Sequence, residues 1–146
     1  MKFTPPFWFI ILLLGIVASR IIFPTTIFIS FPYNYLGSVL ILFGIAVNYW
    51  ADALFKKKQT TIQPHELPNA LVTSGVFRIS RNPMYLGMAS ILVGAAFFIG
   101  SFIAFIFPLL FVLYIEIFII PREEKNLTLQ FSQKYLQYKQ KVRRWI

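Results

Sequence analysis

Residues Ser74–Glu124 read SGVFRISRNPMYLGMASILVGAAFFIGSFIAFIFPLLFVLYIEIFIIPREE. The stretch opens on Arg78, Arg81 and a turn-forming Asn82-Pro83, and it closes on Arg122-Glu123-Glu124. Between Pro83 and Ile120 the only charged side chain is Glu116, and a Gly100-Ser101 break divides the apolar run. A bilayer core of about 30 Å needs roughly 20 apolar residues at about 1.5 Å each. The stretch therefore predicts two spans, about Pro83–Ile99 and Phe102–Ile120, folded as an antiparallel hairpin with polar chemistry at its feet.

Two more apolar runs precede it, at about Pro6–Phe23 and Tyr35–Phe55. The first is not a cleaved leader by pattern, because Arg20 and the bulky Ile21-Ile22-Phe23 replace a small-residue cleavage site. Composition agrees with lipid as the solvent. Hydrophobic residues make up 58% of the 146, and charged residues 13%, against about 25% in an ordinary soluble chain. The net charge of +9 lies between and after the apolar runs; that placement signals membrane topology and argues against nucleic acid, which needs a basic patch on a soluble surface. With no cysteine and one histidine, His65, a thiolate or histidine-rich metal centre is excluded, and no metal is expected.

Charge also orients the chain. The loop from Lys56 to Asn82 and the tail after Pro121 are rich in lysine and arginine, whereas the opposite loops carry none. The expected topology has four spans, with both termini and the long middle loop facing the cytoplasm. In the tail, Leu127, Phe131, Tyr135 and Tyr138 recur at helical spacing between cations and predict an amphipathic helix against the membrane surface or the protein's own face. The fold class expected is all-α: a single integral-membrane domain over residues 1–146, about four transmembrane helices, a cytoplasmic loop and that C-terminal helix.

Several polar residues need a reason. Asn82 suits a helix cap and Pro83 the first helical position, but neither explains Tyr85 or Gly87, the latter allowing close approach by a backbone or ligand. Glu123 and Glu124 can serve the dipole of the tail helix. With the arginines before Pro83 they also suggest a pocket of both charge signs, suited to a zwitterionic or cationic small molecule beside lipid. Asn48 and Asp52 lie one turn apart, with Asp52 spaced to pair Lys56. Glu116 shares a face with Glu123 if their helix is continuous, and as an ionisable residue inside a span it is a functional candidate. His65 reads as a loop histidine, and Arg20 as a snorkelling one. Gly37, Gly44, Gly87 and Gly94 can pack helices within or between chains. There is no phosphate-binding glycine loop, paired-histidine motif or nucleophile-elbow serine.

TTIQP, LVTSGVFRISRNPMYLGM, REEKNL and FSQKYLQYKQKVRRW, in that order, resemble the isoprenylcysteine carboxyl methyltransferase family and, more distantly, the phospholipid N-methyltransferases. The likeness spans about Thr60–Trp145, which would form the cofactor-binding part. It implies an integral-membrane enzyme using S-adenosylmethionine and a lipophilic or lipidated acceptor drawn from membrane lipid. By motif, Asn69, Ala70, Leu71, Val72, Phe77, Asn82, Pro83, Met84 and Tyr85 would line the cofactor site, with Glu123 binding from the other side and Glu124 adjacent. Carboxylates suit the cofactor's positive groups and hydroxyls, and arginine its carboxylate. The implied acceptor is a carboxylate, with a phospholipid amine as the alternative. Two departures stand out. The family's arginine one turn before the glutamates is Ile119, leaving Arg122 and Arg81 as candidates for its catalytic role, and the glycine after Phe131 is Ser132. A rival of another class is a non-enzymatic transport or assembly protein, with Glu116 and Asp52 facing a translocation path.

Overall fold

The computed structural model describes residues 4–24, 27–60 and 68–146; the expectation for His65 lies outside them. The described chain is helical: α1 Pro5–Ile22, α2 Leu36–Lys57, α3 Pro83–Ile99, α4 Ile106–Tyr114 and α5 Ile120–Lys141. A π-helical turn, Ile115–Ile119, joins α4 to α5 without a break. Proline starts α1 and α3, where its missing N–H costs nothing. Gly100 ends α3 in the left-handed region at φ 72°, its N–H donating to the Ala96 carbonyl at 2.9 Å, as a helix C-cap requires. The all-α expectation holds, and the hairpin turns at Gly100-Ser101.

Helices α2 and α3 make the closest pairing, and the four glycines are its means. A Cβ on Gly87 would sit 2.8 Å from the Gly44 carbonyl oxygen, and one on Gly94 would sit 2.6 Å from that of Gly37. As one index rises by seven the other falls by seven, so the helices run antiparallel with backbones in contact. Ser90 donates to the Leu40 carbonyl at 2.9 Å across the same seam, and Asn48 donates to the carbonyl of Gly44 at 3.0 Å while its side chain packs on Gly87. Without a hydrophobic drive between helices in lipid, such small-residue contact is what holds them. These glycines pack helices within one chain.

The main core lies between α1, α3 and the α4–π segment, around Ile16, Leu92, Phe111 and Ile115, all fully buried. A second cluster, Ala51, Val72, Val76 and Phe77, clamps the loop before α3 onto the end of α2. Large apolar side chains such as Leu14, Leu42 and Leu109 point outward, which suits a lipid surround.

The count of spans differs from the expectation. Among the described residues three helices are long and apolar enough to cross a membrane: Pro5–Ile22, Tyr33–Lys57 and the continuous Phe102–Lys141. Helix α3 has 17 residues and reaches only about 25 Å at about 1.5 Å per residue, short of a core of about 30 Å. An odd number of crossings puts the two ends of the chain on opposite sides. The expectation that both termini are cytoplasmic is therefore corrected. Charge counting failed because it presumed four full crossings.

In helix α5, Tyr135 and Tyr138 are buried, Leu127 and Phe131 half-buried, and Lys134 and Gln137 exposed. It is kinked at Ser132, which stands at φ 44° and ψ −119°. That backbone region favours glycine. Ser132→Gly is accordingly expected to stabilise the protein by about 1 kcal/mol, raising its unfolding temperature in detergent; an unchanged or lower temperature would count against strain at this position.

Candidate functional site

The foot of α3 is built by a short network. A 3-10 turn, Gly75–Arg78, is followed by Ser80, whose N–H donates to the Val76 carbonyl at 3.2 Å and whose side chain is buried. The Asn82 N–H donates to Ser80 Oγ at 3.1 Å, and the Asn82 carbonyl accepts from Leu86 to begin the helix. Asn82 occupies the cap position but makes no side-chain cap bond. Its amide instead donates to the Arg144 carbonyl at 3.0 Å. The tail lies across this turn: the Arg81 N–H donates to the Arg143 carbonyl at 3.0 Å, and Ser80 Oγ to that of Arg144 at 3.3 Å.

The two neighbouring glutamates have different surroundings. Successive residues on a helix diverge by about 100°. Glu124 is buried and held by three cations: Arg81 at 3.0 Å, Lys139 at 3.1 Å, and the Nε and Nη2 of Arg144 at 3.0 and 3.1 Å. Glu123 accepts the Tyr85 hydroxyl at 2.5 Å and, among the described residues, has no ion pair. Arg144 Nη1 also meets Glu116, which accepts from Trp145 Nε1 at 2.8 Å. The hydrogen bond to Glu124, then that to Glu116, hold the Arg144 guanidinium above its ordinary pKa range.

Several of these groups, Arg81, Asn82, Tyr85, Glu123 and Glu124, border one cavity. Its walls include Ala70, Leu71, Val72 and Phe77 from the loop, Arg81 to Tyr85 from the foot of α3, and Glu123 and Glu124 from α5. Two motif residues are not part of it: Asn69 and Arg122 are exposed and do not line the cavity. Arg122 points away because it precedes Glu123 by one helical step. Ile119, where the resemblance would place an arginine, is in the core. Arg81 is the arginine that the fold brings in, its side chain only 9% exposed. Tyr135 and Tyr138, read from the sequence as an amphipathic stripe, line the cavity as well, as do Pro5 and Pro6 of α1, Phe55 and Met88. Phe77 stacks edge-on against Phe55 with ring centroids 5.3 Å apart, and Tyr138 donates to the Phe77 carbonyl at 2.6 Å.

The remaining candidates are absorbed by pairing. Asp52 pairs with Lys56 at 2.6 Å, as its spacing suggested, and Arg20 donates to the Pro24 carbonyl at 3.1 Å. Glu116 is engaged by Arg144 and Trp145 rather than presented to a path. Among the described residues no group of three or more His, Cys, Asp or Glu could hold a metal ion.

A family model described as phospholipid methyltransferase matches residues 32–134. The chain belongs to the phospholipid methyltransferase family. The match begins at Pro32, so α2 is part of the family domain, although the motifs above start only at Thr60. Membership in the phospholipid methyltransferase family supports enzymatic methyl transfer, implies S-adenosylmethionine as the donor, and is consistent with a lipophilic substrate near a membrane. An uncharacterized protein of Haemophilus influenzae is 41% identical over 63 residues, which is 43% of this chain and 100% of that relative.

Proposed function

We propose that the cavity between the foot of α3 and the start of α5 binds S-adenosylmethionine and that the chain transfers its methyl group to a lipophilic acceptor. The observation that carries this reading is an unpaired buried donor together with a carboxylate that has no ion pair, both from residues in the walls of one cavity. Arg81 pairs with Glu124 through Nη1 but its Nε is buried without a hydrogen-bond partner, and Glu123 is, among the described residues, bound only by a neutral tyrosine. A buried donor left unpaired costs about 1–3 kcal/mol, which a ligand that accepts from Arg81 would recover. The amino-acid end of the cofactor carries both signs: its carboxylate suits Arg81 and the N-terminal N–H groups of α3, and its ammonium or ribose hydroxyls suit Glu123. When bound, the cofactor supplies a methyl carbon already activated by positive sulfur. The residues then have to orient that end, exclude water and hold the acceptor in line. Pro5, Pro6, Phe55 and Met88 give the cavity an apolar wall suited to a hydrocarbon chain.

For the acceptor, we favour a carboxylate on a lipidated or isoprenoid-like molecule. It is already nucleophilic and needs no proton removed. The family description favours a second reading, a phospholipid headgroup amine. Membranes containing the protein, incubated with methyl-labelled cofactor and extracted, are expected to yield labelled lipid. Base-labile label identifies an ester, and base-stable label the amine. A folded preparation that binds no S-adenosylmethionine by calorimetry overturns both.

A further inference from the structure

Tyr138 borders a second, open groove, whose walls are Thr73 and Arg78 from the loop before α3 and Lys134, Gln137 and Lys141 from α5. Lys134, Gln137 and Lys141 follow one another at helical spacing, so they form one stripe facing the loop. No acidic residue lines this groove. The contrast with the adjoining cations is sharp: Arg81, Lys139 and Arg144 are all spent on Glu124, whereas Arg78, Lys134 and Lys141 are exposed and have no ion pair among the described residues. Beside Arg78, the apolar side chain of Ile79 is 62% exposed. A cationic groove with an apolar neighbour, on a chain with three helices fit to cross a membrane, matches the layer where lipid headgroups meet hydrocarbon.

We propose that this groove binds the phosphate-bearing headgroup of an anionic phospholipid. Its phosphate oxygens accept from Arg78 and the two lysines, and Thr73 and Gln137 supply further polar contacts. The consequence reaches the cavity. The Tyr138 hydroxyl already ties α5 to the carbonyl of Phe77 at 2.6 Å, and a headgroup bridging Arg78 to Lys134 and Lys141 closes the same two segments from outside. The bound lipid thus steadies the wall formed by Phe77, Tyr135 and Tyr138. The inference stands on the groove and does not depend on which ligand fills the cavity.

The test uses the full chain in an uncharged detergent, titrated with micelles containing phosphatidylglycerol or phosphatidylcholine, with the rise in unfolding temperature as the readout. Phosphatidylglycerol is expected to act at much lower concentration, and added salt to weaken it. The triple variant Arg78→Gln, Lys134→Gln, Lys141→Gln is expected to lose about fivefold in apparent affinity per cation, about a hundredfold in all. The same three changes at Lys57, Lys58 and Lys125 are expected to leave the preference in place. If the groove variant, folded to the same lipid-free unfolding temperature, keeps the preference, the proposal fails. It fails equally if the control variant loses as much, or if inorganic phosphate alone reproduces the shift. Should the triple variant not fold, Lys134→Gln with Lys141→Gln, both on the exposed face of α5, gives the same reading at about a twentyfold loss.

Discussion

Glu123→Ala is expected to weaken S-adenosylmethionine binding by at least tenfold and up to about a hundredfold, while the unfolding temperature stays within a few degrees of the parent. Hydrogen bonds to a charged group are worth about 1.5–3 kcal/mol, and Glu123 is the cavity carboxylate whose protein partner is a neutral hydroxyl. Its removal leaves the Tyr85 hydroxyl facing a cavity that water can fill, so the fold loses little. Glu123→Gln separates charge from shape. The amide still accepts the tyrosine hydroxyl, so a binding loss as large as that of alanine means the negative charge is what the ligand needs. Affinity restored by glutamine would instead assign Glu123 to neutral hydroxyls. Calorimetric titration of both variants decides it, and unchanged affinity in both would remove Glu123 from the site. The transport reading predicts that unchanged result.

Much of this arrangement is legible in the residues. Proline at the helix starts, glycine at the α3 cap and the Gly100-Ser101 break mark the helices, since each has one dominant backbone role. The motif order brings the foot of α3 and the glutamate pair into one candidate site, and the fold places them around one cavity. What is not legible depends on geometry finer than spacing. In an unbroken helix, positions seven apart lie within about 20° of one another, which pairs Glu116 with Glu123. The π-helical turn at Ile115–Ile119 inserts one residue, and it is Glu124, eight positions on, that shares the Arg144 guanidinium with Glu116. No local signal in Ile115–Ile119 announces that turn. The same holds for the tail. Arg144 reads as one more positive charge, because nothing in its neighbours reveals that the chain doubles back over Ser80–Asn82. The number of crossings failed for a simpler reason: α3 is apolar yet, at 17 residues, short of a full crossing by about three residues.

Arg144→Ala is expected to cost about 2–3 kcal/mol of stability, and with it about 5–10 °C in unfolding temperature. Removing one partner of a buried ion pair costs about 3–5 kcal/mol; Arg144 is about one-third exposed, so screening by solvent lowers that figure. The residue joins three elements at once, two of them through its side chain. It closes on Glu124 of α5 through two nitrogens, meets Glu116 in the π turn, and its carbonyl accepts from Ser80 and Asn82 at the foot of α3. Arg144→Lys retains one charge but cannot make the forked contact, and is expected to recover less than half of the loss. A merely surface-charged tail predicts the opposite, with lysine equal to arginine and alanine within about 0.5 kcal/mol. Coupling gives the sharper measurement. Because Glu116 and Arg144 touch, the double variant Glu116→Gln, Arg144→Ala should cost less than the two single changes together by about 1 kcal/mol or more. Strict additivity would mean that the tail rests on the helices without holding them. In that case the position of Glu124, and of Arg81 against it, must be fixed by the core alone.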